Sequence, residues 1–460
     1  SVPGVSLKIK PVRADVTSLV PIAAGTALVL VTYVTPMATL TATVAGLGAG
    51  VAAGPWLLNS MSVGLAAGLL AAGVVGDNVG RRRVYLAGLV AMAIGAVACG
   101  VAWEAVGFVA GRVLEGVGGT AVLACGLAIL ANDFTEPRRR THATAVWGTS
   151  VGLGITVGAV LSAAVGAAHW RGPYLAVAAV ALVLLWPSLT RIGESRAAGR
   201  RRLDGGGLGL FASAMILLVC ALTLGRNGIH LTSVVLGAAG LLALIGFGVV
   251  ETRVRDPLVE PKLLRHNRFR AATIGSFVLG AGVIATVSFV PTLAQTGLRA
   301  GIWPASLLVV VWSGTSVVTA FLSRLVRHPM TGPVPIAVAL VVVAAGQALG
   351  FGVTTESSPW RLVPSLFVAG VATGLLNALL GREAVASVHA DRAAMGSGAN
   401  NTARYFGAAV GITSFVVVAT HVGDDLAAGW NVAIAVSAAI SLVGAGAVAL
   451  AGRAPRHPRH

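Results

Sequence analysis

The chain alternates between long apolar stretches and short polar segments along its whole length. A helix that crosses the hydrocarbon core of a membrane needs about 20 mainly apolar residues. Fourteen stretches have this character, and they lie at residues 18–45, 54–76, 83–102, 105–131, 143–167, 172–190, 206–225, 231–250, 272–296, 303–323, 333–354, 361–381, 398–421 and 429–451. The pattern predicts an all-α polytopic membrane protein with 14 transmembrane helices, or with twelve if stretches 7 and 8 have another role.

Composition narrows the class of protein. Hydrophobic residues make up 56% of the 460 positions and charged residues 11%, whereas a soluble domain carries about 25% charged residues. The net charge of +17 would suit a nucleic-acid binder, but such proteins are rich in charge. We therefore exclude a nucleic-acid partner, a soluble enzyme and a disordered chain.

The cysteines support neither a disulfide framework nor a zinc site. Cys99, Cys125 and Cys220 are odd in number, lie in apolar stretches and form no CxxC pair. We expect no metal and no cofactor.

The distribution of basic residues predicts the orientation. With fourteen spans, the loops of one side hold 27 Lys and Arg residues and those of the other side hold four, while Arg112 and Arg404 lie within spans. Cytoplasmic loops are enriched in these residues, so both termini are predicted to be cytoplasmic, and residues 1–15 form a basic tail. Six of the nine tryptophans fall at outer ends of spans, where aromatic rings are favoured: Trp56, Trp103, Trp170, Trp303, Trp360 and Trp430.

The loop between stretches 2 and 3 holds more than positive charge. Gly73 precedes Asp77 by one helical turn, and Gly80 is followed by Arg81 and Arg82. Gly73 would permit a close helix approach, and Gly80 would turn the chain. Asp77 would accept hydrogen bonds from Arg81 or from a helix N-terminus. A plain positively charged loop needs neither the aspartate nor the spaced glycines.

These residues resemble the major facilitator superfamily, whose signature in this loop is Gly-x-x-x-Asp-Arg-x-Gly-Arg-Arg/Lys. Asn78 departs from the usual Arg. In stretch 4, the family's Arg-x-x-Gln-Gly becomes Arg112-Val-Leu-Glu115-Gly116. Asp133 stands where relatives place an acid that pairs with the loop arginines. The resemblance implies that Gly73, Asp77, Gly80, Arg81, Arg82 and Asp133 form a conformational latch.

Later segments resemble the fourteen-span drug:proton antiporters of this superfamily. Stretch 5 keeps Gly148, Gly154 and Gly158 of the antiporter helix-packing signature, although Ile155 replaces Pro and Ala159 replaces Gly. Similar segments are Arg202-Leu-Asp204-Gly at the start of stretch 7, Pro257 to Pro261, and Asn401 to Gly411.

The resemblance implies a major facilitator fold with two six-helix bundles and two additional spans. The expected divisions are residues 1–190, 191–250 for the linker and extra spans, and 251–460. Relatives carry a carboxylate in span 1, whereas Leu30 to Leu40 contains none.

One carboxylate is predicted to lie near the membrane midplane. Glu115 is ten residues into stretch 4, about 15 Å at 1.5 Å per residue, and Arg112 lies on the same helix face. An ionised group at this depth is a functional-site hypothesis. Movement of Arg112 away from Glu115 would favour protonation of the carboxylate, and the pair would then act as a proton-coupling switch. The alternative is a permanent ion pair that holds stretch 4 to its neighbours.

Other polar residues within spans are candidates for a substrate cavity, and for each of them a hydrogen bond between helices is an equal alternative. They are Tyr33, Asn59, Gln295, Asn377, Asn400, Asn401, Arg404 and Tyr405. Arg404 is the strongest candidate as a charge partner for an anionic or polar substrate.

Three hypotheses for the function follow. The first is proton-coupled export of amphipathic or hydrophobic compounds across a bacterial plasma membrane by a monomer, with protons and membrane lipids as its other partners. The second is a transporter or facilitator for a lipid or a lipid-linked metabolite, which the missing span 1 acid favours. A membrane-embedded transferase would need clustered acids or histidines, and His389 and Asp391 are too sparse for this. We therefore expect a transporter and not an enzyme.

Overall fold

The computed structural model describes residues 14–50, 53–134, 136–196, 204–225, 230–255, 257–258, 263, 265–323, 330–386, 393–423 and 425–453. All regular secondary structure in these ranges is helical, which confirms the predicted class. The helices are α1 (Ala14–Gly46), α2 (Gly54–Val79), α3 (Arg81–Val101), α4 (Ala105–Asp133), α5 (Pro137–Gly166), α6 (Gly172–Arg191), α7 (Gly205–Gly225), α8 (Leu231–Arg253), α9 (Asn267–Gly297), α10 (Ile302–Leu322), α11 (Pro333–Ala348), α12 (Val363–Ala386), α13 (Ala393–His421) and α14 (Leu426–Arg453).

The count of fourteen spans is not confirmed. Among the described residues, 12 helices are long and apolar enough to cross a membrane. Helix α2 bends by 52° between Leu69 and Ala71 and would be a thirteenth span if its two parts count as one. Helix α11 has only 16 residues, about 24 Å at 1.5 Å per residue, although the sequence predicts a span over 333–354.

Helix α11 ends early because α14 holds the following chain in a turn. Gly352 has a φ of +80°, a conformation that favours glycine and is incompatible with a continuing helix. Asn431 accepts hydrogen bonds from the backbone N–H groups of Gly352 and Val353, and Trp430 Nε1 donates to the carbonyl of Gly350. These contacts satisfy backbone groups that would otherwise continue the helix.

The helices form two bundles with α7 and α8 beside them. Helices α1–α6 pack mainly with one another, and α9–α14 do the same. The bundles meet through α2 with α13, α5 with α10, and α1 with α9. Helix α7 packs against α2 and α13, and α8 packs mainly against α7. A central interface therefore lies between α1, α5, α9, α10 and α13.

The two ends of the bundle differ in composition. The α2–α3 connection, with Arg81 to Arg83, and the α4–α5 connection lie at one end, which we call the basic end. The α3–α4 and α5–α6 connections hold Trp103 and Trp170, and we call their end the tryptophan end.

Helix α9 contains two π-helical segments, Leu279–Ile284 and Leu293–Gly297, which the hydrophobic pattern does not reveal.

Two of the three signature glycines of α5 bring it close to α1. A Cβ at Gly154 would lie 2.9 Å from the Cα of Ala27, and one at Gly158 would lie 2.8 Å from the Cα of Val31. Gly148 has open space at the same position. Small residues allow such backbone contact in membranes, so Gly154 and Gly158 determine the α1–α5 distance and Gly148 does not.

We predict that Gly158→Val destabilises the protein and that Gly148→Val does not. The valine at 158 would force α1 and α5 apart, and overpacking of this kind costs about 1–3 kcal/mol. Thermal unfolding in detergent measures the effect: we expect a melting temperature several degrees lower for Gly158→Val. Equal melting temperatures for the two variants would contradict the assignment of the contact.

Candidate functional site

Helix α1 contains a backbone carbonyl that accepts no N–H from its own helix. Pro36 has no N–H, so the carbonyl of Thr32, four residues earlier, lacks its helical partner. Arg112 of α4 supplies the missing hydrogen bond, because its Nη1 donates to the Thr32 carbonyl oxygen at 2.8 Å. Its Nη2 lies 3.5 Å from the carbonyl oxygen of Tyr33. The guanidinium thus binds α1 at its proline.

Arg112 and Glu115 form a fully buried ion pair. The Nη1 of Arg112 lies 2.6 Å from Oε2 of Glu115, and both side chains are 0% exposed. Gly95 of α3 makes room for the carboxylate side chain, because a Cβ there would lie 2.8 Å from Cγ of Glu115. Cys99 also lies on α3, and its thiol is 3.9 Å from the same Oε2. Among the described residues, Oε1 of Glu115 has no hydrogen-bond partner.

A cavity lies between the two bundles, and side chains of the same segment of α1 line it. It has two adjoining chambers whose empty space, including the part open to solvent, is about 570 Å³ and about 890 Å³. The smaller chamber is lined by Leu30, Tyr33, Val34 and Met37 of α1. The larger one reaches Ala320 and Gly381, near the basic ends of α10 and α12.

Six of the candidate cavity residues line these chambers. Tyr33 lines the smaller one, Asn400 and Asn401 line the larger one, and Asn377, Arg404 and Tyr405 line both. The rings of Tyr33 and Tyr405 meet edge to face with centroids 5.7 Å apart. The two bundles therefore contribute one tyrosine each to the cavity wall.

Asn59 and Gln295 do not line the described cavity; they connect the bundles. Asn59 Nδ2 donates to the Ala409 carbonyl at 2.5 Å and to Thr413 Oγ1 at 2.9 Å. Gln295 Nε2 donates to the Ala38 carbonyl at 2.9 Å. Both bridges lie toward the tryptophan end. Of the two alternatives for these residues, the structure shows the hydrogen bond between helices.

Asn400 also makes a hydrogen bond between helices. Its Oδ1 accepts from Ser276 Oγ, which links α13 to α9 within the second bundle. Asn400 nevertheless lines the larger chamber together with Asn401.

Two tryptophans of the cavity are absent from the sequence-based candidates. Trp147 lines the larger chamber and Trp312 lines both. The sequence contained a signal for them, because they are two of the three tryptophans that do not fall at the outer end of a span. The third, Trp186, is 73% exposed on the bundle surface.

Three polar atoms at the cavity wall are enclosed and lack partners among the described residues. They are the Nε1 donor of Trp147, the Oδ1 acceptor of Asn377 and the Nε donor of Arg404. Buried polar atoms in native proteins are nearly always hydrogen-bonded. Their position is therefore suited to a bound molecule.

The α2–α3 loop is held by contacts within the first bundle. Arg81 Nη2 lies 2.7 Å from Oδ1 of Asp77, and Arg81 Nη1 donates to the Ala128 carbonyl at 3.3 Å. Arg82 Nη2 donates to the Leu189 carbonyl at 2.5 Å. These bonds connect the end of α2 to α4 and α6.

Glu194, which sequence reasoning missed, stabilises the beginning of α3. Its Oε1 accepts from the backbone N–H of Arg82 at 3.2 Å, where a carboxylate favours a helix N-terminus. Gly80 has a φ of +128°, and a Cβ there would lie 2.8 Å from this carboxylate.

The close approach expected at Gly73 is wrong, since that position has open space. The contact falls at Gly76, where a Cβ would lie 2.6 Å from Sγ of Cys125.

Asp133 contacts α1 in this conformation. Its Oδ2 accepts from Ser18 Oγ at 2.8 Å, and its Oδ1 accepts from Asn132 Nδ2 at 3.3 Å. The described ion pairs and hydrogen bonds do not join it to the arginines of the α2–α3 loop.

No group of three or more His, Cys, Asp or Glu side chains could hold a metal ion within the described residues. His389 and Asp391 lie outside them. The described side chains therefore offer no metal centre.

Known transporters are similar to this chain over most of its length. The "Probable actinorhodin transporter" of Streptomyces coelicolor is 28% identical over 382 residues, which cover 80% of this chain and 66% of the relative. The chain thus spans slightly less than two thirds of that relative. The "Multidrug efflux pump LfrA" of Mycolicibacterium smegmatis is 26% identical over 403 residues, covering 86% of this chain and 79% of the pump.

The fold is also found in a solved structure. The crystal structure of the human organic anion transporter MFSD10 (TETRAN) superposes with a TM-score of 0.62 at 16% identity, over 95% of this chain and 100% of that one. The sequence profile of the Major Facilitator Superfamily matches residues 22–412, most of the chain. The chain therefore belongs to the major facilitator superfamily.

Proposed function

We propose that the protein exports amphipathic or hydrophobic small molecules, among them antibiotics or other drugs, across a bacterial plasma membrane by alternating access. The observation that carries the proposal is the cavity between the bundles, with chambers of about 570 Å³ and about 890 Å³ and walls from both halves. Substrate sites of such transporters lie at the interface of the repeats. The names of the similar actinorhodin and multidrug transporters support the same substrate class.

The conformation suits uptake of the substrate from the cytoplasm. The positive-inside rule assigns the basic end to the cytoplasm, with both termini there. The bridges of Asn59 and Gln295 close the opposite end, while the larger chamber extends toward the basic end. Rocking of the bundles would break these bridges and open the cavity outward. The loop residues Asp77 and Arg81, with Asp133, would then act as the latch.

We assign proton coupling to Arg112 and Glu115. Protonation of Glu115 would remove the charge that balances Arg112, and an unpaired buried guanidinium is costly. Arg112 also binds the Thr32 carbonyl beside Pro36, so a shift of its guanidinium would release α1 where a proline already weakens the helix. Because Tyr33 of α1 lines the cavity, the proton would alter the wall that contacts the substrate.

A transporter or facilitator for a lipid or lipid-linked metabolite is the second candidate. It is favoured by the cavity itself, since no carboxylate lines either chamber in the described part of the chain. Proton exchange would then have no acid in direct contact with the substrate.

We predict that a pH gradient drives transport and that Glu115→Gln abolishes the response. In proteoliposomes whose lumen is one pH unit more acidic than the bath, inside-out molecules should accumulate a fluorescent drug up to about tenfold above vesicles without a gradient, because one pH unit supplies about 1.4 kcal/mol per exchanged proton. Glu115→Gln cannot exchange the proton and should show equal uptake in both conditions.

The matched control is Glu104→Gln, which changes an exposed carboxylate just before the same helix and should respond as the wild type does. If the wild type takes up the drug equally with and without the pH gradient, the antiport mechanism is contradicted and the facilitator is favoured. A normal response in Glu115→Gln would remove Glu115 as the coupling group.

We predict that the two members of the pair are strongly coupled in stability. Glu115→Leu leaves Arg112 buried without its partner, which costs about 3–5 kcal/mol in comparable pairs. Adding Arg112→Met should recover part of this loss, because the uncompensated charge is gone. Thermal unfolding of the wild type, both single variants and the double variant measures the coupling; additive losses would show that the pair does not act as a unit.

A further inference from the structure

Arg404 brings a positive charge to the junction of the two chambers. It lines both of them, and the salt bridges found among the described residues do not include it. The titratable groups that act on it are Tyr33 and Tyr405. A charged group within a membrane span normally has a counter-ion or faces a path for a charged ligand. The described protein supplies no counter-ion here.

A second hydrogen-bond donor lines the same larger chamber as this charge. Trp147 Nε1 has no acceptor among the described residues, and neither does Arg404 Nε. An indole N–H and a guanidinium N–H can donate only. The unfilled hydrogen bonds of these two groups are thus of the kind that an acidic oxygen satisfies, and a guanidinium can bind a carboxylate or sulfonate through two parallel bonds. The third unpartnered atom at the wall, Oδ1 of Asn377, accepts and would bind a donor elsewhere on the ligand.

The smaller chamber offers a surface for rings. Tyr33 and Tyr405 present edge-to-face aromatic rings, and Trp312 lines the same space. Most of the other lining side chains are aliphatic, including Leu279 and Val287. Aromatic rings and apolar chains bind the body of a drug-sized ligand, while a few polar groups fix its orientation.

The backbone around Arg404 is held in place by close packing. A Cβ at Gly280, in the first π-helical segment of α9, would lie 2.5 Å from the backbone nitrogen of Ala408. A Cβ at Gly407 would lie 3.1 Å from the backbone nitrogen of Ala281. The two backbones are therefore in contact beside Arg404, which favours a preorganised position for the guanidinium.

We propose that the cargo is a ring-bearing organic anion, whose acidic group binds Arg404 and Trp147 while its rings pack against Tyr33, Tyr405 and Trp312. This inference rests on the proposed export function and specifies its substrate class. Organic cations are disfavoured, because they would place a positive charge next to Arg404 without a lining carboxylate. The test therefore compares two molecules with the same ring system and opposite charge.

Purified full-length protein in liposomes is assayed with fluorescein and with rhodamine 123, a cation that shares the xanthene ring. We expect transport of fluorescein, a loss of at least tenfold in its initial rate in Arg404→Gln, and an intermediate rate in Arg404→Lys. Arg191→Gln, which changes an exposed arginine at the end of α6, is the control and should match the wild type. Melting temperatures of all variants separate loss of binding from loss of folding.

Every outcome other than the expected one contradicts a particular part of the proposal. Transport of rhodamine 123 without fluorescein would overturn the anion assignment and leave the export function standing. Equal fluorescein rates in wild type and a folded Arg404→Gln would overturn the role of Arg404. Arg404-dependent movement of fluorescent phosphatidylglycerol without fluorescein would assign the site to lipid headgroups and overturn the ring-bearing cargo. Transport of none of the probes would count against the export function itself.

Discussion

The hydrogen bond between Arg112 and the carbonyl of Thr32 links the two chemical centres of this protein. Pro36 leaves that carbonyl without its helical donor, and the guanidinium of Arg112 replaces the donor at 2.8 Å. The same nitrogen holds Glu115 at 2.6 Å. Helix α1 therefore contacts the buried ion pair of α4 through its backbone and lines the cavity with side chains of the same segment. Under the proposed mechanism, a change in the charge of the pair would act on a helix segment that contacts the substrate.

Close backbone packing makes such an arrangement rigid enough to transmit a change. Glycines at 154 and 158 bring α5 against α1, and Gly280 and Gly407 bring α9 against α13. In lipid, where burial of apolar side chains gains little, contact of this kind supplies much of the helix association. The cavity is then the space left between two tightly packed halves. Among the described residues, Asn59 and Gln295 make the hydrogen bonds between the halves toward the tryptophan end, and under the proposed mechanism the halves would separate there.

Most of the fold was predictable because the membrane imposes a strong pattern. The length of the apolar stretches predicted the helices, and the spacing of Asp77, Gly80 and Arg81 indicated the superfamily. The count of fourteen spans is not confirmed at α11, where Asn431 and Trp430 of a distant helix bind the chain that follows it, and no local pattern encodes these contacts. The two π-helical segments of α9 were not predicted either; the first packs against α13 and the second against α14 and α10, and no local pattern encodes these contacts.

The sequence indicated which residues form the candidate site, but not which residues they contact. Arg112 with Glu115 follows from helical spacing, yet the role of Pro36 in freeing the Thr32 carbonyl emerged only with the placement of α4 beside α1. Asn59 and Gln295 look like cavity residues in sequence, but the structure pairs them across the bundles. Glu194 lies 112 residues from the amide it binds, which is beyond any spacing rule.

The central claim is that the charge of Glu115 controls the cavity wall through α1. The most direct measurement is the rate at which a maleimide labels Val34→Cys, a cavity position on α1, as a function of pH after replacement of Cys99, Cys125 and Cys220. Dividing each rate by that of the same protein with Glu115→Gln cancels the reactivity of the thiol itself. The account predicts a ratio that changes with pH as Glu115 gains its proton. A ratio that stays constant with pH would contradict it.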